Sequence, residues 1–212
     1  MVLIQSTVGL PTSAANAATP SLRGEPTGGL VDQPAHLKYV EPCRVGGLYT
    51  ASIVNTGVTV ASLTLTTTAP TALANPTGSG VNIFVKSLTM GYVSGTFGTG
   101  QFFLVSHANG AVPTGTAATY LNNLMIGNTA IAKGLVTYTS TVPASGKVIK
   151  NLWISPPFLA SSVFVPTEVM ADFDGQVGIM PGSAISLQGI TAAGSSPVAV
   201  FTWVWEEVTI AV

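Results

Sequence analysis

The residues able to do chemistry in this chain are few, and their spacing fits no known reaction. Nucleophilic hydrolysis needs a serine, a histidine and a carboxylate, often with a G-x-S-x-G elbow. No such elbow exists, and the only histidines are His36 and His107, far apart in sequence. Cys43 is the single cysteine. It can form no intrachain disulfide, no histidine signature accompanies it, and it reads as a buried, inert thiol. One cysteine and two dispersed histidines also exclude a zinc site. Asp172 and Asp174 in "DFDG" resemble part of a calcium loop, which would want Gln176 and a distant glutamate as further ligands; a turn closed by aspartate side chains is the plainer reading. Glu206 and Glu207 are adjacent in a strand-like run, so they face opposite ways and are no catalytic pair.

The glycine-rich run "NPTGSGVNIFVKSLTM" raises the possibility of a phosphate cradle. A P-loop needs G-x-x-x-x-G-K-[ST] and a helix behind it. Here no Lys-Ser or Lys-Thr follows Gly80, and a β-branched run follows instead. The loop reads as a corner into a strand, with glycine supplying positive φ. Trp153, Trp203 and Trp205 could stack sugars, but two of them fall in the most apolar strand, so core packing is expected. No cofactor and no metal is implied.

These residues must be held by β-structure. Strand-like runs separated by Gly, Pro and Asn turns begin at "LYTASIV" and continue through "VTVASLTLTTT", which stops at Ala69-Pro70. Residues 81–92 form a long strand, and "QFFLVSHA" is its expected hairpin partner across "GTFGTG". "GLVTYTST", "VIKNLWI", "GQVGIM", "AISLQGI" and "PVAVFTWVWEEVTIAV" follow. In the last, Phe201, Trp203 and Trp205 share one face and Val200, Val204 and Val208 the other, so it belongs in the middle of a sheet. One segment, "AATYLNNLMIGN", reads as a short helix stopped by Gly127. The expectation is an all-β, jelly-roll-like antiparallel sandwich over residues 46–212, with at most one short helix.

Residues 1–45 differ. They carry Pro11, Pro20, Pro26, Pro34 and Pro42 and no helical apolar period, and so read as an extended arm. Residues 36–40 could form one short strand within it. The start mimics a cleavable leader at Ala15-Asn16-Ala17, but its positive region is missing.

Charge is scarce and unevenly placed. Only 7% of the 212 residues are charged and the formal net charge is −1, against about a quarter charged in ordinary globular chains. Arg23, Glu25, Asp32, Lys38, Glu41 and Arg44 precede Gly46, and between Gly46 and Gly146 only Lys86 and Lys133 occur. No basic stripe exists for nucleic acid. No apolar run is long enough to cross a membrane as a helix. A hydroxyl-rich surface with so little charge suits either a β-rich domain kept soluble by hydroxyls and amides or a subunit that covers itself with copies or partners.

The arm "RGEPTGGLVDQPAHLKYVEPCRVGGLYTAS", then "LTTTAPTALANPTGSGVNIFVKSLTMGYVSG", "YLNNLMIGN" and "DFDGQVGIMPGSAISLQGITAAGSSPVAVFTWVWEEV" together resemble small β-sandwich virion proteins of tailed bacteriophages, those that decorate or cement the head. The resemblance spans about residues 22–209. It implies no catalysis, a homotrimer on the capsid exterior bound to the major capsid protein shell, assembly in the host cytoplasm, and an arm that reaches over neighbouring subunits. Arg23, Glu25, Lys38, Tyr39, Glu41 and Arg44 would then set the arm's register against its partner. Two other readings stay open: a tail-fibre or spike protein that binds the host, and a carbohydrate-binding β-module.

Overall fold

The computed structural model describes residues 39–52, 56–60, 65, 67–95, 100–107, 112–118, 120–144, 146–155, 168–191 and 197–210. The chain divides into Met1–Glu41 and Pro42–Val212, and every described strand belongs to the second unit. A five-residue helix, α1 (Val40–Arg44), precedes β1 (Leu48–Ser52) and β2 (Val58–Thr59). Then come β3 (Thr68–Asn75), β4 (Val81–Ser94), β5 (Gly100–His107), β6 (Thr114–Ala117), β7 (Tyr120–Asn123) and β8 (Leu135–Thr141). The chain closes with β9 (Lys147–Ser155), β10 (Glu168–Ile179), β11 (Ser183–Thr191) and β12 (Val198–Thr209).

These strands build two six-stranded antiparallel sheets. The first runs β10-β4-β12-β1-β7, with β2 also on β12, and the second runs β6-β8-β3-β11-β5-β9. The first half of the chain pairs with the second half in reverse: β1 with β12, β3 with β11, β4 with β10 and β5 with β9. That is a long hairpin rolled over itself, the jelly roll expected from the sequence. An insertion between β5 and β9 extends one side only, placing β7 beyond β1 and β8 and β6 beyond β3. On the opposite side β9 and β10 are the terminal strands of their sheets.

The core lies between the sheets. Phe201, Trp203 and Trp205 of β12 are fully buried against Leu73, Ile83, Leu88, Phe102, Leu104 and Leu187. Each large apolar side chain so buried contributes about 1.5–3 kcal/mol. The polar tips are satisfied: Trp203 Nε1 donates to Thr71 Oγ1 at 2.8 Å, and Tyr138 Oη donates to the Phe201 carbonyl at 3.3 Å. As expected, β12 occupies the middle of its sheet.

Four local expectations need correction. "AATYLNNLMIGN" contains no helix; β7 lies in it, because Asn122 and Asn123 pair with Thr50 and Tyr49 and the Asn123 amide donates to the Gly46 carbonyl at 2.6 Å. The short helix is α1 instead, and it replaces the strand read over residues 36–40: Tyr39 is in a turn, Val40 starts the helix, and 36–38 lie outside the described residues. β3 runs through Pro70 rather than stopping at it. Pro70 faces Thr139, which has φ +49° and takes no part in the pairing, so the missing N–H interrupts no ladder. Finally, β4 and β5 are no hairpin, since they belong to different sheets.

Candidate functional site

The glycine corner is a tight turn. Ser79 N–H donates to the Pro76 carbonyl at 3.1 Å, Gly78 and Gly80 have φ of +77° and +75°, and β4 follows directly. Its anchor is Asn75, fully buried, whose amide donates to the Val81 and Ile179 carbonyls, both at 2.8 Å. The helix a phosphate cradle requires is replaced by a strand.

"DFDG" forms the turn closed by aspartate. Asp174 N–H donates to Asp172 Oδ1 at 2.9 Å, with Asp174 and Gly175 at φ +51° and +75°. It is a bulge in the middle of β10, where pairing jumps from Asp172–Ser87 to Val177–Val85. A Cβ on Gly175 would stand 3.4 Å from Lys86 Nζ. The lysine thus brings a cation to the place a calcium ion would want, and no group of three acidic, His or Cys ligands forms among the described residues. Lys86 pairs with Glu206 at 2.5 Å, both half-buried on the outer face of the first sheet.

Glu207 faces the other way, as the strand period requires. Its carboxylate accepts the Lys133 N–H at 2.9 Å, the Gly134 N–H at 2.7 Å and the Trp205 indole N–H at 3.0 Å. It therefore pins the last part of the insertion to the end of β12. Tyr49 stacks on Trp205, with ring centroids 6.1 Å apart. Burial, and then the Glu207 charge, raises the Tyr49 pKa.

His107 is a buried histidine on the outer face of the second sheet, held against Pro143. Its Nδ1 meets the Pro143 carbonyl at 3.1 Å and its Nε2 meets Ser186 Oγ at 2.8 Å. A carbonyl only accepts, so Nδ1 carries the proton and Nε2 accepts from the serine hydroxyl. Burial lowers the His107 pKa, and the bond to Pro143 opposes that shift. A serine and histidine in contact here carry no carboxylate partner, and both are buried.

Of the arm residues, Arg23, Glu25 and Lys38 lie outside the described residues. Tyr39 precedes α1, Glu41 is within it, and Arg44 is exposed in its last turn. Cys43 is half-buried rather than buried, because so short a helix at the start of the sandwich does not reach the core. Trp203 and Trp205 are core residues, and the side chain of Trp153 is outside the described set.

What the sequence did not disclose is an apolar end. β1, β4, β9 and β11 begin at one end of the sandwich, where β3, β5, β7, β10 and β12 finish. Val45, Met125, Ile126, Ile131, Met180 and Val208 all lie there and are exposed, Ile126 by 88% and Ile131 by 81%. Exposed apolar side chains gathered at one end of a sandwich suit a contact surface. No sequence signal separates them from core residues, because they occur in the same apolar runs.

No protein-family model matches the chain, and no curated protein matches it. Among solved structures it is similar to a chain of the Israel acute paralysis virus pentamer, with 10% identity, a TM-score of 0.28, and coverage of 98% of this chain and 88% of that one. It is likewise similar to a chain of the heated Israeli acute paralysis virus full particle, with 9% identity, a TM-score of 0.26 and coverage of 98% and 88%. A chain of the activated KBV particle at acidic pH has 13% identity, a TM-score of 0.25 and coverage of 99% and 89%. Overlaps this slight carry no weight for fold or function.

Proposed function

We propose that the chain is a non-enzymatic structural protein of a virion, a decoration or cement protein of a tailed-phage capsid. In this reading it is a homotrimer on the capsid exterior, assembled in the host cytoplasm, gripping the major capsid protein shell. The observation that carries the reading is the apolar end of the sandwich, where Val45, Ile126, Ile131 and Met180 are exposed. Such a surface is stabilised by a protein neighbour rather than by water. A jelly roll alone implies no role, since the fold hosts many. Residues 1–45 are the proposed arm, adding backbone hydrogen bonds to a neighbouring subunit, with Arg23, Glu25, Lys38, Tyr39, Glu41 and Arg44 setting its register.

Electron microscopy of purified particles tests this. The chain is expected as repeated density on the shell, and a chain lacking residues 1–45 should stay folded but leave the particle. Unchanged occupancy by the truncated chain sinks the arm. Absence from the shell, with binding to a glycan array, sinks the decoration role.

A further inference from the structure

The open side of the sandwich, formed by β9 and β10, carries opposite charge on its two strands. β9 contributes Lys147 and Lys150 and no acid, while β10 contributes Asp172 and Asp174 and no cation. Lys147 and Asp172 are exposed. Lys150 Nζ lies 5.0 Å from the ring centroid of Phe173, a fully buried residue of the β10 bulge that plugs the gap between the sheets. So the two strands flank one gap, with the lysines on one side of it and the aspartates on the other. Among the described residues no ion pair joins either lysine to Asp172. Val148 and Ile149 stand exposed on the same edge, by 43% and 47%.

We propose that this side is a contact surface for a second copy of the chain. A two-fold axis along the strands brings β9 of each copy against β10 of the other. Lys147 and Lys150 then meet Asp172 and Asp174 twice, once in each direction, as an isologous interface requires. The alternative axis, across the strands, sets lysine against lysine and is disfavoured. β9 and β10 run in opposite directions, so the two edges meet antiparallel. The bulges in both strands break a continuous ladder, which leaves charge to select the partner and Val148 and Ile149 to add apolar contact. The inference rests on the proposed function only in that copies of the chain meet in an assembly; its two-fold contact is additional to the three-fold contact of the proposed trimer and joins two trimers, which part when it is lost.

Sedimentation of the full chain tests it, with circular dichroism to establish that each variant is folded. The wild-type mass should halve in Lys147→Glu/Lys150→Glu and in Asp172→Lys/Asp174→Lys, and also in about 1 M salt, where the screening length falls to about 3 Å. Lys147→Glu alone leaves the Phe173 plug untouched and should weaken association in the same direction. An equimolar mixture of Lys147→Glu/Lys150→Glu with Asp172→Lys/Asp174→Lys should regain the wild-type mass, because every contact across the axis is again between opposite charges. A wild-type mass indifferent to these variants overturns the contact, as does a mixture that stays apart. Variants that keep the wild-type mass and still occupy the shell would overturn this contact and leave the proposed function standing.

Discussion

At the scale of single residues, the informative side chains are buried polar groups. Asn75 supplies donors to the carbonyls at both ends of the corner that joins β3, β4 and β10. Asn75→Ala should destabilise the protein by about 2–4 kcal/mol, since two carbonyls lose a donor where water is scarce; urea unfolding measures this, and a change under 1 kcal/mol would show the corner holds without it. His107 gives the protein a pH response. Its folded pKa lies below the ordinary value of about 6.5, so the unfolded chain binds the proton first. The stabilisation is fully present above about pH 6.5 and drains as pH falls toward the lower folded value. Charging would also oblige Nε2 to donate to Ser186, whose hydroxyl must turn away. Urea midpoints recorded between pH 7.5 and pH 5 should fall in the wild type and flatten in His107→Gln over that interval. Equal slopes in both proteins would assign the response to other groups. Both residues were visible as letters, but Asn75 looked like an ordinary turn residue before Pro76, and His107 merely closed a strand.

Elements are held together by a strap and a carboxylate. Between β8 and β9, residues 142–144 and 146 lie over the outer face of the second sheet. Val142 packs with Ala69 and Ala72, and the Pro143 carbonyl accepts a hydrogen bond from His107 Nδ1–H. Gly146 lies so close that a Cβ there would stand 2.5 Å from both His107 Cε1 and Val105 Cγ1. Gly146→Ala should therefore lift the strap and expose the amides beneath it, raising hydrogen exchange at Val105, His107 and Ser186 while β12 stays protected. Unchanged exchange at those amides would show that the strap yields without cost. Glu207 does the same work for the insertion. Glu207→Ala orphans the N–H groups of Lys133, Gly134 and Trp205, and a loss of about 2–4 kcal/mol is expected. Glu207→Gln should recover part of it, because one amide oxygen remains to accept. The strap also explains why β3 escapes a pattern reading. Alanine is a poor strand former, yet Ala72 and Ala74 are buried by what lies above them, and no alternation shows when both faces are covered.

On the scale of the whole molecule, the first and last strands are partners: Leu48 pairs with Glu206 and Ser52 with Thr202. Neither sheet is complete until one of the last two strands arrives, β11 for the second sheet and β12 for the first. Folding should then be slow, on the order of milliseconds to seconds, as for other β-sandwiches dominated by distant pairings. Stopped-flow fluorescence of the buried tryptophans checks this, and a microsecond phase carrying the whole signal would contradict it. The sequence by itself determined the class. Turn residues bound most of the strands, and the two-residue period of β12 set Phe201, Trp203 and Trp205 inward. Those are local properties, written in neighbouring side chains. Only the tertiary structure decided that β4 and β5 part into different sheets, that "YLNN" extends β1 instead of coiling, that α1 forms where a strand was expected, and that lysines and aspartates far apart in the chain flank one open side. Each depends on which distant segment supplies the hydrogen-bond partner, and a strand's partner leaves no mark on its own sequence.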